Sequence, residues 1–212
     1  MTTGSASRTD APTDTASATD RLRRYLTDVR ALAGEPLSLV GTLRRVERAL
    51  TALLTRPLEL PAACRRLPAP DEGGAYGRHL LHRDPEGRFV IVAMVWPPGF
   101  QGAVHDHGTW GVVGVVEGRV RVLDFERDDD GREPGGVILR KTGDAVVGPG
   151  AVATVLPPHR DFHSVGNASD EGLAVTLHTY GRDITACQVV DPATGRLETV
   201  RPEYTSEQLL ER

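Results

Sequence analysis

Residues 102 to 118 read GAVHDHGTWGVVGVVEG, two histidines one residue apart at the head of a run rich in Val and Gly. Side chains two residues apart on a strand project to one face, so His105 and His107 are expected to reach a common point inside a barrel. Two imidazoles so placed begin a divalent-metal site. The bland alternative is a solvated strand edge with two exposed histidines.

The surroundings of this stretch predict the architecture. From Tyr76 onward the chain divides into short β-like segments, among them YGRHLLH, RFVIVAMVW, WGVVGVV, RVRVLDF, FHSVGN and LAVTLHTY, separated by turn sequences such as DPEG, PPG and DPATG. That spacing predicts an antiparallel sandwich or barrel. Upstream, Leu22, Tyr25, Leu26, Val29 and Leu32 recur at helical spacing behind an Asp20 cap, and Gly34 stands where a helix would stop. A second helix is expected from Ser38 to Thr55, with Leu39, Leu43, Val46, Leu50 and Leu53 on one stripe and Pro57 beyond it. The expected organisation is a disordered tail over 1–19, two helices over 20–57 that pack on the barrel, and the barrel domain over 58–212.

Composition narrows the function. A chain of 212 residues with 39% hydrophobic content can bury one sizeable core. Its net charge of -4 and scattered Lys and Arg argue against nucleic acid or an anionic membrane as partner, which leaves a small molecule. Cys64 and Cys187 are too few to staple a secreted scaffold and lack zinc-ribbon spacing, so a reducing, cytoplasmic setting is expected. No segment has the apolar core of a signal peptide or the length of a membrane span. Nucleotide-binding glycine loops are absent from the sequence, and oligomeric state is not legible in it.

Gly99 lies upstream of the pair as G-x5-H-x-H, and Gly118 closes the following turn. This resembles the first motif of the cupins, which implies a double-sheet jelly-roll barrel, mainly β. That motif normally carries a Glu four residues after its second His; here the position is Gly111. The second cupin motif supplies His163, in an H-x3-N run ending at Asn167, and His159 in PPHRDFH competes with it as third ligand. His163 is favoured because it heads a strand-like segment. Three neutral imidazoles leave the charge of a divalent ion uncompensated, so the centre wants an anionic ligand such as a thiolate. Zinc stays open on ligand type alone.

In LAVTLHTYG, the residues Thr176, His178 and Tyr180 alternate onto one strand face, where a hydroxyl, an imidazole and a phenol can form a relay. The solvent face of an edge strand is the other reading of that segment. Together, HDH, H-x-V-x-N and T-L-H-x-Y-G resemble the thiol dioxygenases, the cupins that include cysteine dioxygenase, over residues 76 to 185. The resemblance implies Fe(II) held by His105, His107 and His163, a relay of Thr176, His178 and Tyr180, and a substrate carboxylate held by Tyr76 and Arg78. It also implies a small thiol and O2 as reactants. GTWGVV lacks the cysteine that animal members crosslink to the relay tyrosine, so Tyr180 is expected uncrosslinked, as in bacterial members. Arg78 is the residue of the cysteine-oxidising branch, whereas the Trp110-Gly111 pair is more like the 3-mercaptopropionate branch. A zinc or nickel cupin of other chemistry, or a non-catalytic small-molecule cupin, would share the three histidines without needing Arg78 or the relay.

Overall fold

The computed structural model describes residues 17–69, 74–129, 136–158, 161–207 and 209–210. Helix α1 (Ala18–Ala33) and helix α2 (Leu39–Leu53) precede eleven strands. These are β1 (Gly77–Arg83), β2 (Val90–Trp96), β3 (Val104–His105), β4 (Gly111–Glu117), β5 (Val120–Arg127), β6 (Leu139–Val147), β7 (Val152–Val155), β8 (Phe162–Asn167), β9 (Ala174–Tyr180), β10 (Cys187–Val190) and β11 (Leu197–Val200). They form two antiparallel sheets, ordered β1-β2-β9-β4-β7 and β11-β10-β3-β8-β5-β6, which make the double-sheet jelly-roll barrel expected from the sequence.

The helices begin where side chains satisfy their first amides. Ser17 caps α1, its hydroxyl accepting from the Asp20 amide at 3.1 Å and donating to the Asp20 carboxylate at 2.8 Å. The helix therefore starts before the expected Asp20 cap, and Asp20 sits in its first turn, where the helix dipole favours a negative charge. Residues 1–16 of the expected tail lie outside the described residues. Ser38 caps α2 in the same way, and Gly34 ends α1 with its amide donating to Ala31. All five residues of the α1 stripe are buried, as are Leu43, Val46, Leu50 and Leu53 of α2. Leu39, assigned to that stripe from spacing, is instead 46% exposed, because it is the first residue of the helix and lies beyond the packed face.

The covered face belongs to the first sheet. Leu81, Ile91, Ala93, Val112, Val175 and Leu177 turn outward to meet the two helices, and Trp110 packs in the same cluster, outside the barrel as expected. At Gly114 any side chain would run into Leu50 of α2 and Leu54 at its C-terminal cap, so its bare backbone sets how closely helix and sheet approach. The opposite face of the sheet fills the barrel with Val92, Met94, Trp96 and Val115, facing Val120 and Val165 of the second sheet. Every residue of β2 is consequently buried, which is why VIVAMVW reads as a continuous apolar run rather than an alternation.

One polar bond ties α1 to the strand that carries the relay. The Tyr25 hydroxyl and Thr179 Oγ1 lie 2.7 Å apart, both buried, on the outer face of β9. Burial pushes the Tyr25 phenol well above its ordinary pKa, so it stays neutral. Tyr25→Phe strands the Thr179 hydroxyl and is expected to cost about 1–3 kcal/mol in denaturant unfolding. Adding Thr179→Val is expected to restore part of that loss; a double variant less stable than the single one would contradict this account.

Candidate metal centre

His105, His107 and His163 each offer a ring nitrogen, and the three atoms lie within 4.8 Å of one another. Their rings are mutually inclined, with centroids 4.9 Å (His105 to His107), 4.9 Å (His105 to His163) and 4.6 Å (His107 to His163) apart. His105 on β3 stands directly opposite His163 on β8. Strand alternation does not bring His107 to them, however. β3 ends at His105, and His107 lies beyond it in a turn continued by Gly108 at φ +59.

A carboxylate holds that turn. Asp161 accepts the His107 amide at 2.9 Å and the Gly108 amide at 3.2 Å. His107 Nδ1 lies 3.1 Å from the same carboxylate, which fixes the proton on Nδ1. Nε2 of His107 is then a bare lone pair, buried and without a hydrogen-bond partner. In the same sense, His105 Nδ1 donates to the Ala103 carbonyl at 3.0 Å, which leaves its Nε2 for a ligand. Between the two histidines, Asp106 anchors the loop to β10: its amide donates to the Gln188 carbonyl at 3.0 Å and its carboxylate accepts the Gln188 amide at 2.7 Å. An orphaned, aimed imidazole nitrogen beside two others fits a divalent metal. The competing His159 lies outside the described residues.

Burial and mutual repulsion keep the His105 and His163 rings neutral, as metal ligation requires. Burial first, then His107, pushes the His105 pKa down to about 4, and the same causes hold His163 well below the ordinary value.

Above the triad stands the relay. Thr176, His178 and Tyr180 point inward from β9, with Thr176 Oγ1 2.7 Å from His178 Nε2 and His178 Nδ1 2.7 Å from the Tyr180 hydroxyl. The solvent-face reading of this strand is excluded, because all three residues are buried. The Tyr180 ring lies 5.5 Å from that of His107. Burial raises the Tyr180 phenol far above its usual pKa and lowers His178 to about 3. Both are neutral at physiological pH.

The relay also accounts for Gly111. A Cβ there would sit 2.7 Å from Cδ1 and 2.8 Å from Cε1 of Tyr180. The space that a Glu would occupy at this position is filled by the phenol ring, so carboxylate and relay tyrosine exclude each other.

A cavity of ≈ 170 Å³ opens onto His105, His163, His178 and Tyr180. Its outer wall is Tyr76, Met94, Trp96, Phe100, Cys187, Val200 and Pro202. Tyr76 stacks on Trp96 with centroids 5.0 Å apart. Pockets for drug-sized ligands run to roughly 300–1,000 Å³, so this one suits a molecule of a few heavy atoms. Arg78, paired with Met94 across β1 and β2, is 3% exposed and does not border the cavity. Its guanidinium donates to the Pro202 and Ile184 carbonyls at 2.8 and 2.9 Å, lies 3.7 Å from Asp183, and covers the Tyr204 ring at 4.0 Å. It borders instead a separate depression of ≈ 540 Å³ with Arg66, Tyr204 and Thr205.

Sequence reading missed Asp161 and Trp96. Asp161 had a signal, since a carboxylate two residues before a candidate ligand is a common orienting partner of another histidine. Trp96 had none beyond its place at the end of an apolar run.

Fold and site together describe a double-sheet jelly-roll barrel with a three-histidine centre suited to a metal ion. No protein-family model matches the chain. Among curated proteins it is similar to cysteine dioxygenase type 1 of Danio rerio, at 25% identity over 132 residues, or 62% of this chain. The match spans 63% of that relative's length. Among solved structures it is similar to an RmlC-like cupin protein of Ralstonia eutropha (TM-score 0.43, 17% identity, 64% of this chain and 72% of that one). An acetylacetone dioxygenase of Acinetobacter johnsonii gives a TM-score of 0.42 at 15% identity, over 68% of this chain and 83% of that one.

Two measurements follow from the site. Asp161→Asn keeps the shape but replaces an anionic acceptor with a neutral amide, and is expected to weaken metal affinity by about 10- to 100-fold, as metal-titration calorimetry would show. Unchanged affinity would remove Asp161 from the centre. The second concerns the metal-free protein. His105 and His178 have depressed pKa values in the fold and ordinary ones, about 6.5, when unfolded, so the unfolded chain takes up protons first as pH falls. Melting temperature is therefore expected to drop on acidification below about pH 6.5, and a flat profile down to about pH 5 would contradict neutral burial.

Proposed function

We propose that this chain is an Fe(II)-dependent thiol dioxygenase that converts L-cysteine and O2 to cysteine sulfinic acid. The observation that carries the reading is a donor set that, among the described residues, is all imidazole with no carboxylate, set beneath a buried phenol at the end of a hydrogen-bonded relay. Such a centre is completed best by a ligand that brings its own negative charge, and a thiolate does. Similarity to a cysteine dioxygenase supports the same choice.

His105, His107 and His163 would hold the iron, and the bound iron supplies the redox site at which thiolate and O2 meet. A free thiol has a pKa of about 8.5, and a metal held there would favour its thiolate form, the proton passing to solvent. The small cavity excludes larger thiols, and its aromatic wall keeps bulk water from the sulfur. Tyr180, held protonated by burial, donates a hydrogen bond to whatever oxygen or sulfur atom faces it. Both atoms of O2 end on sulfur, so thiol plus O2 equals sulfinic acid with no other reductant. The substrate carboxylate is assigned to Tyr76 and Arg78. Burial raises the phenol pKa of both Tyr76 and Tyr180, and the charge of Arg78 opposes that rise, so it is felt inside the cavity although its guanidinium is partly committed to Pro202 and Ile184. Free Cys64 and Cys187 and a thiol substrate suit the reducing cytoplasm.

The test is oxygen uptake and sulfinate yield with iron-loaded protein and either L-cysteine or 3-mercaptopropionate. L-Cysteine is expected to be the better substrate, and Tyr180→Phe is expected to retain iron while losing turnover. Arg78→Gln is expected to lower cysteine turnover more than that of 3-mercaptopropionate. A wild-type preference for 3-mercaptopropionate of about tenfold, equivalent to roughly 1.4 kcal/mol, would overturn the substrate assignment. Oxidation of neither thiol would overturn the activity.

A further inference from the structure

The relay has a residue at its head that gives it a direction. Trp96 Nε1 lies 2.9 Å from Thr176 Oγ1, and Thr176 is fully buried. An indole N–H can only donate, so the Thr176 oxygen accepts from Trp96. Among the described residues, the other partner of that oxygen is His178 Nε2. A buried hydroxyl hydrogen left unbonded is costly, so Thr176 donates to Nε2. The neutral ring of His178 carries one proton, which is then on Nδ1 and is donated to the Tyr180 oxygen. The phenol already accepts that bond, and its own hydrogen is left to point into the cavity that Tyr180 lines.

We propose that Trp96 is a positioning residue that polarises the chain Trp96, Thr176, His178, Tyr180, so that Tyr180 presents a hydrogen-bond donor, and never an acceptor, to the ligand. Without the indole N–H, the Thr176 hydroxyl could accept from His178, the imidazole tautomer could invert, and the phenol hydrogen could turn back to Nδ1. The ligand atom beside Tyr180 would then meet a lone pair. A fixed donor recognises an acceptor atom, such as an anionic sulfur or oxygen, and rejects a protonated one at the same place. The bearing of this on turnover rests on the reaction proposed above, whereas the direction of the relay does not.

The relay is read directly from the imidazole nitrogens of zinc-loaded protein labelled with 15N-histidine, with the His178 signals assigned by their loss in His178→Gln. Wild-type protein is expected to show a single Nδ1–H tautomer at His178. An Nε2–H tautomer would overturn the proposal without any variant. Trp96→Phe keeps an aromatic ring against Tyr76 and Phe100 but removes the N–H, and is expected to replace the single tautomer by an exchanging mixture. Retention of a pure Nδ1–H tautomer would overturn the role of Trp96. In Thr176→Val the Trp96 Nε1–H resonance is expected to move upfield as it loses its acceptor, and an unmoved resonance would show that the bond to Thr176 does not exist. None of these readings needs a turnover, so failure of the dioxygenase assignment and failure of the relay direction are separately visible.

Discussion

The centre depends on the carboxylate of Asp161. β3 is too short to aim two histidines, and the turn that carries His107 leaves the sheet. Asp161 gathers the His107 amide, its Nδ1 and the Gly108 amide around one buried anion, where hydrogen bonds to a charged acceptor are each worth about 1.5–3 kcal/mol. It thereby sets position, ring plane and tautomer together. Because Asp161 lies two residues before His163, directly ahead of β8, one short stretch carries both the third histidine and the clamp on the second. Position and protonation of the donor set are one local arrangement.

The rest of the barrel holds the groups above that arrangement. β9 is bonded to β2 on one side and β4 on the other, and its two faces have separate duties. Val175, Leu177 and Thr179 face the helices, and Thr176, His178 and Tyr180 face the cavity. Gly111 on the neighbouring strand gives the phenol its room. With the Tyr180 ring in this place, any side chain at 111 would collide with it. The result is a centre whose protein ligands carry no charge, and a phenol kept in its neutral form by its surroundings.

Much of this could be read in the sequence because periodicity reports which residues share a face. The helical stripes, Leu39 apart, the strands from Tyr76 onward and the common face of Thr176, His178 and Tyr180 follow from spacing, which left open whether that face turns inward. His163 followed from a motif. What spacing could not give is any contact made by a chain that has left regular structure. His107 was placed on the correct side for the wrong reason, since a turn and a distant carboxylate, rather than pleat alternation, aim it. Trp96 reads as one more apolar strand residue, and its N–H matters only because Thr176 lies across the β2 and β9 pairing. Spacing likewise gives no sign that the Arg78 guanidinium donates to backbone carbonyls more than a hundred residues away.

Pro202 leads into a stretch that meets the first strand late in the chain. Thr205, Ser206, Leu209 and Leu210 lie beside β1, with Thr205 bonded to Arg78, Ser206 to Leu80, Leu209 to Leu80 and Leu210 to Leu81. The Ser206 hydroxyl reaches His79 at 2.7 Å. Pairing partners so far apart in sequence costs loop-closure entropy that local pairing avoids, and slows the step that forms them. Val200 and Pro202, which wall the cavity beside His105 and His163, lie just before this stretch, so the far end of the chain and the first strand together hold the cavity wall in place.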